Sequence, residues 1–302
     1  MIRLFLMIWF HGALAGDVHN LSLKKLWSVD TQKIALRMDL SGLTSDGVSL
    51  YTVSDLSHLN DIYRIDFEED RAVLKVAVKL SEDWMQGYAQ KNASYGRLDM
   101  EGIAFCDGKF FIVNEHKRSI LVVDQKEPHP TEIVPDWEKF HQGRMNPFSG
   151  VLNAGLEGIA CHSEGLYLLN ERQFRMGYVY SFKDRKLTQQ FDVAAGKGLP
   201  HYLGNETWKY QDFAGADFYE GHLYLLERNS HQIIKVDPAN YQVLARYDFS
   251  QWEKGLFESE DPFGLAEGLA IQNGSFFVIL DNNLDLRSSD KSPMPYLLEL
   301  TI

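Results

Sequence analysis

The chain has 302 residues, a net charge of −12 at pH 7 and an apolar content of 45%. This length fits one large domain or two small ones, and the acidic balance excludes a nucleic-acid-binding protein, which would need a basic face. No segment is both long and apolar enough to span a bilayer, so we expect no membrane span.

The first residues have the pattern of a secretory signal peptide. Arg3 precedes the apolar run 4–10, and Ala13-Leu14-Ala15 is a cleavage site of the A-x-A type. We therefore expect residues 1–15 to be removed, leaving residues 16–302 as a single domain, exported to the periplasm or secreted. The alternative is that the apolar run forms a buried first strand.

A short motif with Gly directly after an anchor residue occurs five times; in three copies an apolar pair follows the Gly, and two copies are weaker. Its anchor positions are 60, 56, 57 and 53 residues apart. The five anchor residues are Ser41, Glu101, Glu157, Ala214 and Glu267. A nearly fixed period of this length indicates a repeat architecture.

Each repeat predicts an antiparallel meander, because short β-branched and aromatic runs alternate with turns rich in Gly, Asp and Ser. In chain order the predicted strands are 26–29, 33–38, 50–53, 61–65, 72–76, 110–113, 119–124, 157–161, 166–171, 177–182, 187–193, 223–226, 232–237, 242–247, 276–280 and 296–300. The long segments 81–100, 135–156, 194–212 and 250–266 each lead into the next anchor.

The two ends of the chain complement each other. The last repeat lacks its outer strand, whereas the first is preceded by the spare strand 33–38, with 26–29 before it. A strand exchanged between the termini would close a ring and remove the open sheet edge. The pattern predicts an all-β, five-bladed β-propeller of four-stranded antiparallel blades, closed by an N-terminal strand and monomeric. A solenoid is the alternative, but it would not explain this exchange.

In a propeller the first strand of each blade lines the central channel, so the anchors would surround the axis. Three converging carboxylates need either protons or a cation to balance them. Oxygen ligands of this kind suit calcium, or less well magnesium. The candidate metal ligands are Ser41, Glu101, Glu157 and Glu267. The alternative is that each glutamate caps backbone amides and holds the blades together.

A second polar set lies fourteen residues after the anchors, where the second strands end. Its members are Asp55, Glu115, Glu171, Arg228 and Asp281. Since antiparallel pairing returns the chain to the same face, we expect both sets to share that face. Arg228 and Arg172 are the anion-binding candidates, although Arg228 serves equally well to neutralise nearby acids.

Known hydrolase signatures such as G-x-S-x-G and H-E-x-x-H are absent from the sequence. Any catalysis is therefore expected to be metal-assisted hydrolysis, with an acid such as Glu171 or Asp55 as the base. The predicted catalytic residues are Glu171, Asp55 and Arg228. The predicted substrate-binding residues are Arg172, Arg228, Glu115, Asp281 and Asn282.

Two cysteines, Cys106 and Cys161, follow consecutive anchors by five and four residues. An exported protein permits a disulfide, but the opposite strand parity suggests side chains that point apart. We expect two small buried thiols, with a disulfide as the alternative.

Several motifs resemble the bacterial esterase-like-activity-of-phytase family of propellers. They are Ser41-Gly42-Leu43-Thr44 with Val53-Ser54-Asp55, Glu101-Gly102-Ile103-Ala104 with Asn114-Glu115, Leu225-Leu226-Glu227-Arg228, and Glu267-Gly268-Leu269-Ala270 with Asp281-Asn282-Asn283. The related SdiA-regulated propellers share much of this pattern. The resemblance implies a phosphoester or ester hydrolase.

The Ser and Glu ring is also similar to that of the five-bladed calcium-dependent apyrases, in which a central calcium lies below the nucleotide phosphates. Carried over, this likeness implies Ser41, Glu101, Glu157 and Glu267 as ligands, whereas Ala214 departs from the pattern. The expected partner is a small anionic ester. The competing hypothesis is a non-catalytic propeller that uses calcium as a staple and binds a ligand or a protein.

Overall fold

The computed structural model describes residues 17–92, 98–143, 148, 155–170, 176–193, 212–258, 265–282 and 285–302. Across these residues the protein is all-β, with 21 strands and three short α-helices. The strands form several four-stranded antiparallel units, which confirms the predicted fold class at that level.

The third repeat shows the basic unit. Its strands are β11 (Leu156–His162), β12 (Gly165–Asn170), β13 (Gly177–Ser181) and β14 (Lys186–Phe191). They pair antiparallel in sequential order, as the meander pattern predicts. All residues of β12 are buried. Successive side chains point to opposite faces of the sheet, so both faces are covered at this strand.

The second repeat contains one strand that the pattern does not predict. Its strands are β7 (Met100–Cys106), β8 (Lys109–Asn114), β9 (Ser119–Asp124) and β10 (Glu127–Ile133). β10 carries Pro128 and Pro130, which cannot donate ladder hydrogen bonds, and its register shifts between Glu127 and Thr131. An edge position next to β9 tolerates this irregularity.

The fourth repeat gains a strand from the N-terminus. Its strands are β15 (Phe213–Tyr219), β16 (His222–Glu227), β17 (Gln232–Val236) and β18 (Val243–Asp248). The additional strand, β1 (Asp17–Asn20), pairs parallel to β18 and makes a fifth strand in this sheet.

The first and last repeats are joined through an N-terminal strand. The first has β3 (Leu40–Ser45), β4 (Leu50–Ser54), β5 (Ile62–Glu68) and β6 (Arg71–Val78). The last has β19 (Ala266–Gln272), β20 (Ser275–Leu280) and β21 (Tyr296–Thr301). Its fourth strand is β2 (Ser22–Asp30), antiparallel to β21. A short parallel pairing of β2 with β6 joins both units into one eight-stranded sheet.

The strand exchange is therefore present, but the prediction that residues 33–38 form a strand is wrong. These residues form turn and coil, and both Ile34 N and Ala35 N donate to Thr31 O. β2 includes the predicted strand 26–29 and extends it to nine residues. The chain turns at Thr31 because β2 already occupies the edge of β21, and the next residues must cross to β3.

The three helices lie in segments that lead to the next anchor. They are α1 (Glu82–Lys91), α2 (Trp137–His141) and α3 (Ser250–Glu253). α1 begins at Ser81, whose side chain accepts from Trp84 N, and has Glu82 and Asp83 in its first turn, as a helix N-terminus favours. Among the described residues, no helix has the length and apolar character needed to cross a membrane.

The first strands of the five repeats contact one another in cyclic order. β3 contacts β7, β7 contacts β11, β11 contacts β15, β15 contacts β19, and β19 contacts β3. The glycine after each anchor permits this approach: a Cβ on Gly102 would lie 2.2 Å from Glu157 O, and one on Gly268 would lie 2.5 Å from the Gly42 carbonyl carbon. The hydrophobic core lies between neighbouring sheets, for example where Phe111 packs in one cluster with Ile159 and Leu168.

The expectation of free thiols is wrong, because Cys106 and Cys161 form a disulfide with a Cα–Cα distance of 6.1 Å. The opposite parity of the two cysteines is what brings them together. Neighbouring sheets stack front to back, so a side chain on one face of β7 meets one on the other face of β11. Ala104 and Ile159 share a core cluster for the same reason.

Candidate functional site

A β-bulge marks the anchor of every repeat. The register of the first and second strands shifts at Ser41/Leu43, Met100/Ile103, Leu156/Gly158, Phe213/Gly215 and Ala266/Gly268. Bulges commonly re-aim a side chain near functional sites. Here the bulge sets the anchor side chain at the start of the innermost strand.

Three carboxylates converge at this end of the innermost strands, two from anchors and one from the residue after β8. Glu101, Glu115 and Glu157 each place one oxygen within 4.8 Å of the others. Glu115 and Glu157 are buried, with 3% and 7% of their surfaces exposed. Ser41 lies beside the cluster and donates from Oγ to Glu101 Oε2 at 2.7 Å. Glu115 Oε1 also accepts from Gly155 N at 3.2 Å.

Several other carboxylates lie close to Glu101. Burial raises the pKa of Glu101 well above the ordinary value for a glutamate, and the charges of Asp55, Asp99 and Glu115 raise it further. The hydrogen bond from Ser41 opposes this shift. A bound cation would favour the ionised form of Glu101 and oppose the repulsion between the carboxylates, so the donor set fits a hard, oxygen-preferring metal ion.

A second group shares Glu115 with the first. Asp99, Glu115 and His116 also place ligand atoms within 4.8 Å of one another, and His116 Nδ1 lies against Asp99 Oδ2. Sequence reasoning did not select Asp99 or His116. The signal was present, because an aspartate lies two residues before the anchor in three repeats, at Asp39, Asp99 and Asp212.

In three of the repeats, the residue that follows the second strand lies near the anchor of the next repeat. Glu115 joins Glu157, Asp55 acts on the pKa of Glu101, and Arg228 contacts Glu267. The backbone fixes these ends in a repeated way. Asp55 N donates to Asp39 O at 3.2 Å, Glu115 N to Asp99 O at 3.1 Å, and Asp281 N to Leu265 O at 2.8 Å.

Arg228 lies between two carboxylates. Its Nε and Nη2 donate to Asp212 Oδ2 at 2.9 and 2.5 Å, and Nη1 donates to Glu267 Oε1. The structure thus pairs Glu267 with a guanidinium, whereas Glu101 and Glu157 lie together with Glu115. Asp212 is a further residue that sequence reasoning did not select.

The remaining predicted residues lie at the junction of the last and first repeats or outside the described part. Arg37 donates to Asp39 Oδ1 at 2.8 Å, and this bond raises the pKa of Arg37, to which the charges of Asp281 and Asp55 add. Asn282 is buried, and its Nδ2 donates to Asp285 O and Pro293 O, each at 2.7 Å. Glu171 and Arg172 lie outside the described residues, as does the predicted signal peptide.

Solved structures with a similar fold include a glutaminyl cyclase. The enzyme from Myxococcus xanthus aligns with a TM-score of 0.55 and 13% identity over 94% of this chain and 97% of that chain. The PQQ-bound aldose sugar dehydrogenase from Streptomyces coelicolor gives 0.47 and 13% over 93% and 98%. At such identity the first likeness shows a shared propeller-type fold and nothing about activity, and the second carries no argument.

Sequence comparison identifies the family. No curated protein sequence matches the chain. The profile of one family, Phytase-like, described as esterase-like activity of phytase, matches residues 38–285. This match covers more than half of the chain, from just before β3 to the residues that follow β20, and includes all five anchors. The chain belongs to the Phytase-like family.

Proposed function

We propose that the protein is an exported, calcium-assisted hydrolase of phosphate or carboxylate esters, built on a monomeric five-bladed propeller. One observation carries the proposal: Glu101, Glu115 and Glu157 each place a carboxylate oxygen within 4.8 Å of the others, which is a donor set that suits a hard cation. Membership of the Phytase-like family supports the reaction class. The cyclic contacts of β3, β7, β11, β15 and β19 support five blades in one domain, residues 16–302.

The donor set favours calcium over magnesium. Carboxylates from three different positions and a serine hydroxyl form an irregular oxygen cage, which calcium tolerates better than the smaller ion. The proposed ligands from the anchors are Ser41, Glu101, Glu157 and Glu267, to which the geometry adds Glu115. When bound, calcium would neutralise the carboxylates and polarise an ester oxygen of the substrate.

The surrounding side chains would bind substrate and move a proton. Arg228, held between Asp212 and Glu267, presents a fixed guanidinium to an anionic group. Arg172, Glu115, Asp281 and Asn282 complete the proposed substrate-binding set. Asp55 or Glu171 would accept the proton of an attacking water molecule. The disulfide between Cys106 and Cys161 supports export, because such bonds persist in oxidising compartments.

A thermal melt in calcium and in chelator tests the metal centre. Calcium should raise the melting temperature of the wild-type protein, because an ion that binds only the folded state stabilises it. Glu157→Gln should abolish this rise. Glu164→Gln, an exposed change in the turn between β11 and β12, is the matched control and should respond to calcium as the wild type does. A rise that persists in Glu157→Gln would contradict the proposed ligand set.

Turnover of p-nitrophenyl phosphate and p-nitrophenyl acetate tests the activity. We expect hydrolysis of at least one ester in calcium, and a loss of about 100-fold or more in kcat/KM for Arg228→Lys, which keeps the charge but not the bidentate fork. Unchanged rates in both Arg228→Lys and Glu157→Gln would exclude this site as the catalytic one. A calcium-dependent melt without any turnover would favour the alternative, a calcium-stapled propeller that binds a ligand or a protein.

A further inference from the structure

A cavity of about 230 Å³ lies at the far ends of the five innermost strands. Each of these strands contributes to its lining, for example through Ser45, Phe105, Cys161, Asp217 and Gln272. The carboxylate cluster lies at the starts of the same strands, so the cavity opens at the opposite end of the axis. Glu101 and Phe105 are four residues apart, or roughly 13 Å along a strand. The cavity is therefore separate from the proposed metal centre.

Among the described residues that line the cavity, Asp217 has the only carboxylate. Its Oδ2 accepts from Ile271 N at 2.6 Å, and its Oδ1 accepts from Phe218 N at 2.7 Å. The first of these bonds joins β15 to β19. Burial raises the pKa of Asp217 to about 6, against the effect of both hydrogen bonds. A carboxylate at this position therefore has a cost that a neutral side chain would not have.

Thr44 shows that the strand contact does not require a charge. Thr44 occupies the same place in the first repeat, three residues after its anchor, and its Oγ1 accepts from Phe105 N at 3.0 Å. The acceptor of the corresponding bond in the fourth repeat is Asp217, and the donor is Ile271. A hydroxyl thus joins β3 to β7 as the carboxylate joins β15 to β19. The negative charge of Asp217 is left without a structural role in this contact.

The walls of the cavity fit an organic cation better than a metal ion. Calcium takes six to eight oxygen ligands, whereas this cavity offers one carboxylate beside the rings of Phe105, Phe218 and Tyr219. Aromatic faces attract organic ammonium groups. Gln272 and Asn273 add amide oxygens that can accept from an N–H group.

We propose that this cavity is a binding site for a small protonated organic amine, with Asp217 as the counter-charge and the aromatic rings around the alkyl part. The inference is independent of the proposed hydrolase activity, since it involves none of the residues assigned to that activity.

Titration calorimetry with n-butylammonium chloride, and with n-butanol as the uncharged isostere, tests the proposal. The wild-type protein should bind the ammonium ion and not the alcohol. Asp217→Thr keeps a strand-joining acceptor of the kind that Thr44 provides but removes the charge, so it should bind the ammonium ion at least about tenfold more weakly. A melting temperature equal to or above that of the wild type would show that this variant is folded.

Three results would overturn the proposal. They are an absence of ammonium binding by the wild type, equal affinity in Asp217→Thr, and displacement of the ammonium ion by calcium in Glu157→Gln. The last result would identify the cavity as a metal site. Glu157→Gln itself should bind the ammonium ion as the wild type does, so failure of the metal centre and failure of this site are distinguishable.

Discussion

At the scale of single residues, the site depends on which side chains each carboxylate meets. Glu267 and Asp212 share the guanidinium of Arg228, whereas Glu101 lies beside Glu115 and Glu157. The sequence period predicts that anchors meet around an axis, and it selects Glu101 and Glu157. It does not reveal that Glu115 joins them. Glu115 follows the second strand of its repeat, and the position of that strand end beside the next anchor, Glu157, depends on how neighbouring sheets stack.

The buried charge of Asp217 leads to a pH-dependent prediction. Its pKa is about 6 in the folded protein and ordinary in the unfolded chain, so the folded state binds more protons between about pH 4 and 6. Stability therefore falls as pH rises through this window, and the cost is complete above it. Tyr224, whose pKa is raised to about 12 by burial and also by neighbouring charges that include Asp217, stays neutral throughout this range.

Asp217→Thr should remove this cost. We expect the variant to be more stable than the wild type by about 1–2 kcal/mol at pH 8, with the difference vanishing near pH 4. Urea unfolding at both pH values measures it. A difference that does not depend on pH would show that Asp217 is ionised normally in the folded protein.

At the scale of the strands, the meander of each repeat is predictable because alternation and turn residues are local signals. The strand β9 matches its prediction at both ends. Other features depend on partners far along the chain. Residues 33–38 have the composition of a strand but no free edge to join, and β10 forms despite Pro128 and Pro130 because β9 offers an edge. The bulges at the anchors are likewise invisible in the pattern, since they arise where five strands crowd together.

Three of the glycines that follow an anchor, Gly42, Gly102 and Gly268, should tolerate no side chain, because a Cβ there would lie within 2.5 Å of backbone atoms. A Cβ on Gly102 would lie 2.2 Å from Glu157 O, so Gly102→Ala must separate β7 from β11. We expect a loss of about 1–3 kcal/mol or more in the free energy of unfolding, measured in urea. Gly87, within α1, is the matched control, because nothing lies within 4 Å of its Cβ position. Gly87→Ala should be neutral or stabilise by about 0.5–1 kcal/mol, and an equal effect of both changes would contradict the crowding argument.

At the scale of the whole molecule, the disulfide joins two neighbouring sheets at the end of the axis that faces away from the carboxylates. It links residues separated by 55 positions. In the chain-entropy model such a cross-link stabilises by about 4 kcal/mol, because it restricts the unfolded chain. The sequence alone does not decide whether the two cysteines pair. The face of the strand on which each cysteine lies is informative only when it is known which faces of the neighbouring sheets meet.

Replacing both cysteines, in Cys106→Ser/Cys161→Ser, should therefore lower the free energy of unfolding by about 2–4 kcal/mol. Reductant should lower the melting temperature of the wild type to about that of the double variant. It should leave the melting temperature of the double variant unchanged. A wild type that is insensitive to reductant under unfolding conditions would show that the thiols are not joined in solution.

The pairing of β2 with β21 also has a consequence for the order of folding. Lys24 Nζ contacts Glu299 Oε1 at 2.6 Å across a separation of 275 residues. Contacts this distant in the chain are formed late and slowly. Until β2 docks, β21 presents an unpaired edge on which another molecule could add a strand. The N-terminal strand β2 thus protects against aggregation, because it covers the edge of β21 with a segment of the same chain.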